Sequence, residues 1–288
     1  MKNKFSNKIN FNKNQGGDLE LGRFATDEEI KKFSYLVPNY EWLTKLHSYN
    51  AIGYIDAEGL KGVSGIGLCE YISLSTLMTY QELFCNSGYF TEGEWDHYFD
   101  LQKKIGKFIN MPYHENAEYD KKEESLVAKL FILNGKKINI KFGGGVDDTL
   151  REFIKSKEIK KRIHIKSCTS TMHSSKPETK MMQNNVPVML SFAAKGVAHN
   201  VVIYGYDKKT KSYLVHWGWP GNSWERYSAV IIKKSDVWSY FSLGFWNAFY
   251  PKSKKALAPK PRFQYDGKMY TWTELEKKGL TFKNVDPY

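Results

Sequence analysis

The texture of the chain changes near residue 160, and that change limits the fold more than any other feature. Before it, apolar residues fall into runs with helical spacing. The strongest is CEYISLSTLMTYQELF (69–84), about four turns long. Further helical stretches lie around Glu94–Asn110 and Glu123–Asn134, and another runs from Asp147 to about Lys160. A short helix after Thr26 is predicted by the capping pair Thr26 and Glu29. Residues 137–141 alternate like a strand, and Gly143-Gly144-Gly145 reads as a turn. After residue 160 the runs are short, alternating or apolar, and split by turn residues: RIHIKSC, VPVMLSF, AHNVVIYGY, SYLVHWGW, AVIIKK and SLGFWNAFY. Such runs predict antiparallel strands. Helices placed ahead of strands predict an α+β fold of two packed lobes. We expect an N-terminal arm (1–35), a helical lobe (36–160), an antiparallel β lobe (161–250) and a C-terminal extension (251–288) with a small polar tail.

Composition narrows the class of function. The 288 residues are 41% hydrophobic and rich in aromatics, enough for a sizeable core. The formal charge is +12, carried mostly by lysines in dispersed pairs such as Lys31-Lys32 and Lys103-Lys104. That pattern predicts a solvated surface and no nucleic-acid site. Three cysteines, Cys69, Cys85 and Cys168, form no CxxC pair, which argues against structural zinc and a closed disulfide framework. No metal site is expected: His97, His114, His164 and His173 lack ligand spacing, and Asp147-Asp148 reads as helix capping. No apolar run of 18 residues is present, so no membrane span is expected. No signal peptide is visible. The expectation is a soluble chain, secreted or cell-surface if it is a mature fragment and otherwise cytoplasmic. The oligomeric state is unknown from the sequence.

Two segments carry chemistry. The Gly-punctuated stretch IGYIDAEGLKGVSGIG ends just before Cys69, which stands in the first turn of the apolar helix. A helix N-terminus offers unpaired N–H groups and partial positive charge, which favour a thiolate. The glycines let a substrate backbone approach and leave N–H groups for an oxyanion. The second segment is GVAHNVVIYGYD…SYLVHWGWPG. His199 opens a strand and shares one face with Val201 and Ile203, while Asn200, Val202 and Tyr204 share the other. His216 follows 17 residues later on the next strand, joined by a short loop. A catalytic imidazole is oriented by a third group, and His216 is the expected one. The reading is a nucleophile, Cys69, a base, His199, and an orienting residue, His216.

In order and context these segments resemble papain-like cysteine peptidases. CysGluTyrIleSer (69–73) sits where that family has Cys-Trp-Ala-Phe-Ser, and Gly67 also matches. SYLVHWGWPG is similar to the streptopain branch, where an Asn precedes Trp-Gly-Trp-Gly; GLCEYISLSTLMTYQELFCNSGYF is similar to cysteine peptidases of mollicutes. The resemblance spans about 36–250. It implies a two-lobed papain-like fold with Cys69 facing His199 across a cleft. It also implies amide hydrolysis of a protein or peptide substrate through a thioester, with no cofactor. Trp217 takes the shielding role. The family glutamine of the oxyanion hole is replaced by Val63, so Ser64 and the Cys69 N–H are the expected donors. The orienting Asn is His216 here, with Asn222 as a substitute. Acyl transfer on the same residues, or peptide binding by an inactive relative, remain open alternatives.

Overall fold

The computed structural model describes residues 21–46, 68–101, 107–114, 124–137, 145–169, 176–194, 197–218, 227–248 and 256–285. In chain order the elements are β1 (Arg23–Phe24), α1 (Asp27–Ile30), β2 (Tyr35–Leu36), α2 (Tyr40–Lys45), α3 (Cys69–Phe84), α4 (Glu92–Tyr98), β3 (Phe99–Leu101), β4 (Pro112–His114), α5 (Leu126–Leu133) and α6 (Val146–Phe153). They continue with β5 (Ile163–Thr169), α7 (Pro177–Asn184), β6 (Val188–Ala194), β7 (Val197–Asp207), β8 (Ser212–His216), β9 (Val230–Lys233), β10 (Trp238–Asn247), β11 (Phe263–Tyr265), β12 (Lys268–Tyr270) and α8 (Trp272–Lys277). The fold is α+β, with helices dominating the first half and an antiparallel sheet the second.

The principal sheet has the order β1-β9-β8-β7-β6-β10-β5, with β2 pairing to β7. Its register sorts side chains onto two faces. Leu190 pairs with Val201 and with Ser242, and Phe192 pairs with His199. This face carries α7, because Lys180 Nζ donates to Ser242 Oγ at 2.7 Å and Tyr213 Oη donates to Glu178 at 2.8 Å. Ser191 pairs with Asn200 and Met189 with Val202, on the opposite face, which receives the start of α3. The β7–β8 register shifts between Ile203 and Gly205, so alternation is broken there.

Helix α3 is buried on every side, from Glu70 to Leu83. An all-round apolar helix has no solvent face to choose and becomes the centre of the core. Two of its hydroxyls bond back to the helix, Thr76 to the Ile72 carbonyl and Thr79 to that of Ser75, while Gln81 Nε2 donates to the Phe245 carbonyl of β10. Helices α5 and α6 pack on it; α5 is N-capped by the Ser125 hydroxyl, which accepts from Ala128 N–H. At the C-terminal end of α3, Phe84 lies within 5.7–6.3 Å of the rings of Trp42, Phe263, Trp272 and Phe282. Residues 256–285 therefore complete the core of the helical half.

Most predicted elements are present, including α1 with its Thr26–Glu29 capping box. Four differ. The stretch expected as one helix over 94–110 stops at Tyr98: Phe99 is extended, its ring stacks on Trp95 at 4.1 Å, and β3 pairs with β4. Helix α7 interrupts the β half unannounced, started by Pro177, whose fixed φ suits a first turn. The end of the expected arm is structured, because β1 and β2 join the sheet. The C-terminal tail is a hairpin plus helix; Asp266 and Gly267, both at positive φ, supply its turn. Gly145 is the N-terminal cap of α6, at φ 99, so it serves as the helix entry where a side chain would be strained. Of the strand expected at 137–141 only Lys137 is described, and 138–141 and Gly143-Gly144 lie outside the described residues.

Candidate active site

Cys69 is the first residue of α3, preceded by Leu68, whose side chain offers no cap. The residue is partly exposed but its sulfur is buried, and the sulfur's partner is an amide: Asn200 Nδ2 donates to Sγ at 3.1 Å. Asn200 is held from across the strand pair, where the Ser191 hydroxyl donates to Oδ1. Burial pushes the thiol up to about 11. The hydrogen bond from Asn200 works in the opposite direction, and the adjacent Glu70 carboxylate adds to the rise. The helix terminus favours a thiolate, but burial outweighs it here. A helix terminus contributes roughly 0.3–1 kcal/mol at an exposed site, whereas the rise from 9.0 to about 11 needs more than that to reverse.

His199 occupies the other face of β7. Its ring is 4.8 Å from that of Trp217, tilted by 35°, and 6.1 Å from that of Phe192. Nε2 lies 2.9 Å from the Trp217 carbonyl oxygen. A carbonyl only accepts, so Nε2 carries the proton and Nδ1 is the basic nitrogen. Burial lowers the imidazole to about 4; the carbonyl pulls weakly the other way. The residue is therefore neutral at pH 7.

The expected His199–His216 contact is not formed. His216 pairs with Val202, and so shares the Asn200 face of β7. Its Nε2 lies 3.2 Å from the Leu46 carbonyl. The physical reason is register: the shift between Ile203 and Gly205 pairs His216 with Val202, where an unbroken ladder would set it opposite Ile203 on the His199 face, and His199 Nε2 meets the Trp217 carbonyl instead. The structure brings together Cys69, Asn200 and Ser191, and separately His199, Trp217 and Phe192. Ser64, Val63, Gly67, Trp219 and Asn222 lie outside the described residues. Asp147 accepts from Ser167 Oγ at 2.8 Å in the first turn of α6. Cys85 sits at the end of α3 and Cys168 on the edge strand β5. Among the described residues no cluster of three or more His, Cys, Asp or Glu could hold a metal, and no helix is long and apolar enough to cross a membrane. Asn200 and Ser191 were missed because an amide and a hydroxyl in an apolar strand carry no motif. The one available signal was strand alternation, which puts Asn200 on the face opposite to His199.

Comparison with curated proteins gives no match. The family model for the Peptidase C10 family matches residues 69–227, more than half of the chain. The matched stretch opens on Cys69 and contains His199, His216 and Trp217. The chain therefore belongs to the Peptidase C10 family and is a papain-like cysteine peptidase that acts on protein or peptide substrates.

Proposed function

We propose that Cys69 is the nucleophile and His199 the general base of this peptidase. One observation carries the reading of the nucleophile: of the three cysteines, Cys69 opens a helix, and among the described residues it alone has a side-chain amide donating to its sulfur. The base must have a nitrogen that can take up a proton, which excludes the Asn200 amide. His199 is adjacent in the chain, neutral, and has its proton fixed on Nε2 by the Trp217 carbonyl.

The chemistry follows from these protonation states. A neutral thiol passes its proton to Nδ1 as Sγ attacks the carbonyl carbon of the scissile amide. The resulting imidazolium gives that proton to the amine as the C–N bond breaks, leaving a thioester on Cys69. Water then attacks the thioester, His199 takes its proton, and the thiol is regenerated. Proton transfer needs Nδ1 within about 3 Å of Sγ. His199 is two residues from the start of β7, so a turn of that strand end is the rearrangement that the reading requires. Trp217 shields the imidazole from water. Ser64 and the Cys69 N–H remain the proposed oxyanion donors, the helical half to about 160 and the β half to about 250 the two lobes. No nucleic acid takes part.

The test is turnover of a fluorogenic peptide mixture by the parent, Cys69→Ala and His199→Ala, each shown folded by circular dichroism. Cys69→Ala should fall to background and His199→Ala should lose about 100- to 10,000-fold in kcat. Parent-like turnover by either variant refutes its role.

A further inference from the structure

Asn200 is the side chain in hydrogen-bond contact with the nucleophile, and the family resemblance gives it no role. It is 7% exposed, and Ser191, which holds it, is fully buried. The two face each other across β6 and β7 at a direct register pair. The Ser191 hydroxyl donates to Oδ1, so the amide can present only its N–H groups to Cys69. That orientation is the informative point. A neutral sulfur is a weak acceptor, and a buried amide donor spent on it gains little. A thiolate is a strong acceptor, and a donor to a charged group is worth about twice a neutral hydrogen bond. The pinned amide is matched to the charged form of the sulfur.

We propose, resting on Cys69 as nucleophile, that Asn200 is a catalytic residue of this peptidase, its Nδ2 amide stabilising negative charge on Sγ, with Ser191 as the positioning residue. The charge appears twice: as Sγ gives up its proton and attacks, and as the thioester C–S bond breaks and Sγ departs. In both steps the amide proton stays on Nδ2, so no proton or electron is exchanged with Asn200. Among the described residues, Tyr240 of β10 is itself held protonated by burial and by Cys69 and Glu70, and Glu70, next along α3, disfavours the thiolate by its charge. Burial disfavours it further. Asn200 is the side chain that opposes these effects.

The experiment measures alkylation of Cys69 by iodoacetamide from pH 6 to 9, by mass mapping, with peptide turnover alongside. Asn200→Ala should slow alkylation by about tenfold or more at every pH in this range, as expected for losing a hydrogen bond to a charged group. Its kcat should fall by a similar factor, and KM should stay within about twofold, since the charge exists only along the reaction. Asn200→Asp, which turns a carboxylate toward the sulfur, should be slower still. Asn200→Ser should recover part of the rate because a hydroxyl can donate. Ser191→Ala should shift both readouts the same way by a smaller factor. A folded Asn200→Ala with parent alkylation and parent kcat overturns the proposal. If that variant does not fold, an unchanged alkylation profile in Ser191→Ala overturns it. Parent-like turnover by Cys69→Ala refutes the nucleophile and with it the catalytic role of Asn200, whereas a slowed Asn200→Ala beside an inactive Cys69→Ala supports both.

Discussion

His199 and Asn200 are neighbours in β7 and serve opposite faces of the sheet: the imidazole meets the Trp217 carbonyl, the amide meets the Cys69 sulfur. Strand alternation makes this unavoidable, because successive side chains point to opposite sides. It also makes the site sensitive to register, since a slip by one residue would exchange the two. The β6–β7 register is continuous from Val188↔Ile203 to Ala194↔Val197, with Ser191 opposite Asn200 and Phe192 opposite His199. The strand end at Val197 is where a local turn would disturb the fewest pairs.

Burial of a neutral His199 makes stability depend on pH. The folded imidazole titrates at about 4 and an unfolded one near 6.5. Between these values the unfolded chain binds a proton at residue 199 that the folded chain refuses. Stability from this group is complete above about pH 6.5 and is lost as pH falls through 4, by about 3 kcal/mol. Urea unfolding at pH 7 and pH 4.5 measures it. His199→Gln should flatten the difference; an equal pH dependence in parent and variant contradicts the burial assigned here.

The three thiols should react in an order that their surroundings set. Burial pushes Cys85 up to about 12, and it closes the C-terminal end of α3. Cys168 is half-buried on the edge strand β5. With iodoacetamide at pH 7, Cys168 should be labelled first and Cys85 last. Labelling of Cys69 should rise about tenfold per pH unit from 7 to 9, as the thiolate fraction does. A rate at Cys69 that is already maximal at pH 7 would mean that the thiol is paired with an imidazolium in solution.

His216 should matter to stability and little to chemistry. Its Nε2 meets the Leu46 carbonyl, which ties the end of α2 to the sheet. His216→Ala should cost about 1–3 kcal/mol by leaving a buried carbonyl without that partner. kcat should remain within about threefold of the parent. A hundredfold loss of kcat in a stable His216→Ala would restore the orienting role expected from the sequence.

The sequence made the elements legible where one periodicity dominated. The all-apolar run 69–84 could only be a central helix, and the alternating runs after residue 160 are the strands of the sheet. Cys69 was found because a glycine-rich lead-in ends at a helix start. Residue faces were legible too, and Asn200 was already assigned the face opposite to His199. What could not be read was which face α3 would cover. That depends on long-range packing of Cys69 against Ser191 and Asn200, residues more than 120 positions away in the chain. The tail was misjudged for the same reason: Phe263, Trp272 and Phe282 are scattered among lysines, and their shared partner, Phe84, is far off in sequence.

A buried ion pair fastens that tail to α3. Arg262 and Glu82 form a nearly dry ion pair at 3.5 Å, with side chains 6% and 0% exposed. Arg262 also donates to Glu92 at 2.9 and 3.1 Å and lies 4.2 Å over the Trp95 ring. Glu82 accepts from the Gly88 and Tyr89 N–H groups at 2.8 and 2.9 Å. Burial raises the Glu82 carboxyl, and the Arg262 charge restrains the rise. Arg262→Met keeps the aliphatic bulk and removes the restraint, leaving a buried carboxylate with two backbone donors. The cost should be about 3–5 kcal/mol at neutral pH, typical of breaking one side of a buried pair. It should also be pH-dependent in a definite sense. An acid whose folded value lies above its unfolded one stabilises the fold when protonated and loses that contribution as pH rises. The deficit of Arg262→Met should therefore be smaller at pH 5 than at pH 8. Adding Glu82→Gln should recover part of it and remove the pH dependence, because the neutral amide has no charge left to bury. Urea unfolding of the parent and these two variants at both pH values decides it. A deficit that is the same at pH 5 and 8 would show that Arg262 acts by packing on Trp95 and not by holding the charge of Glu82.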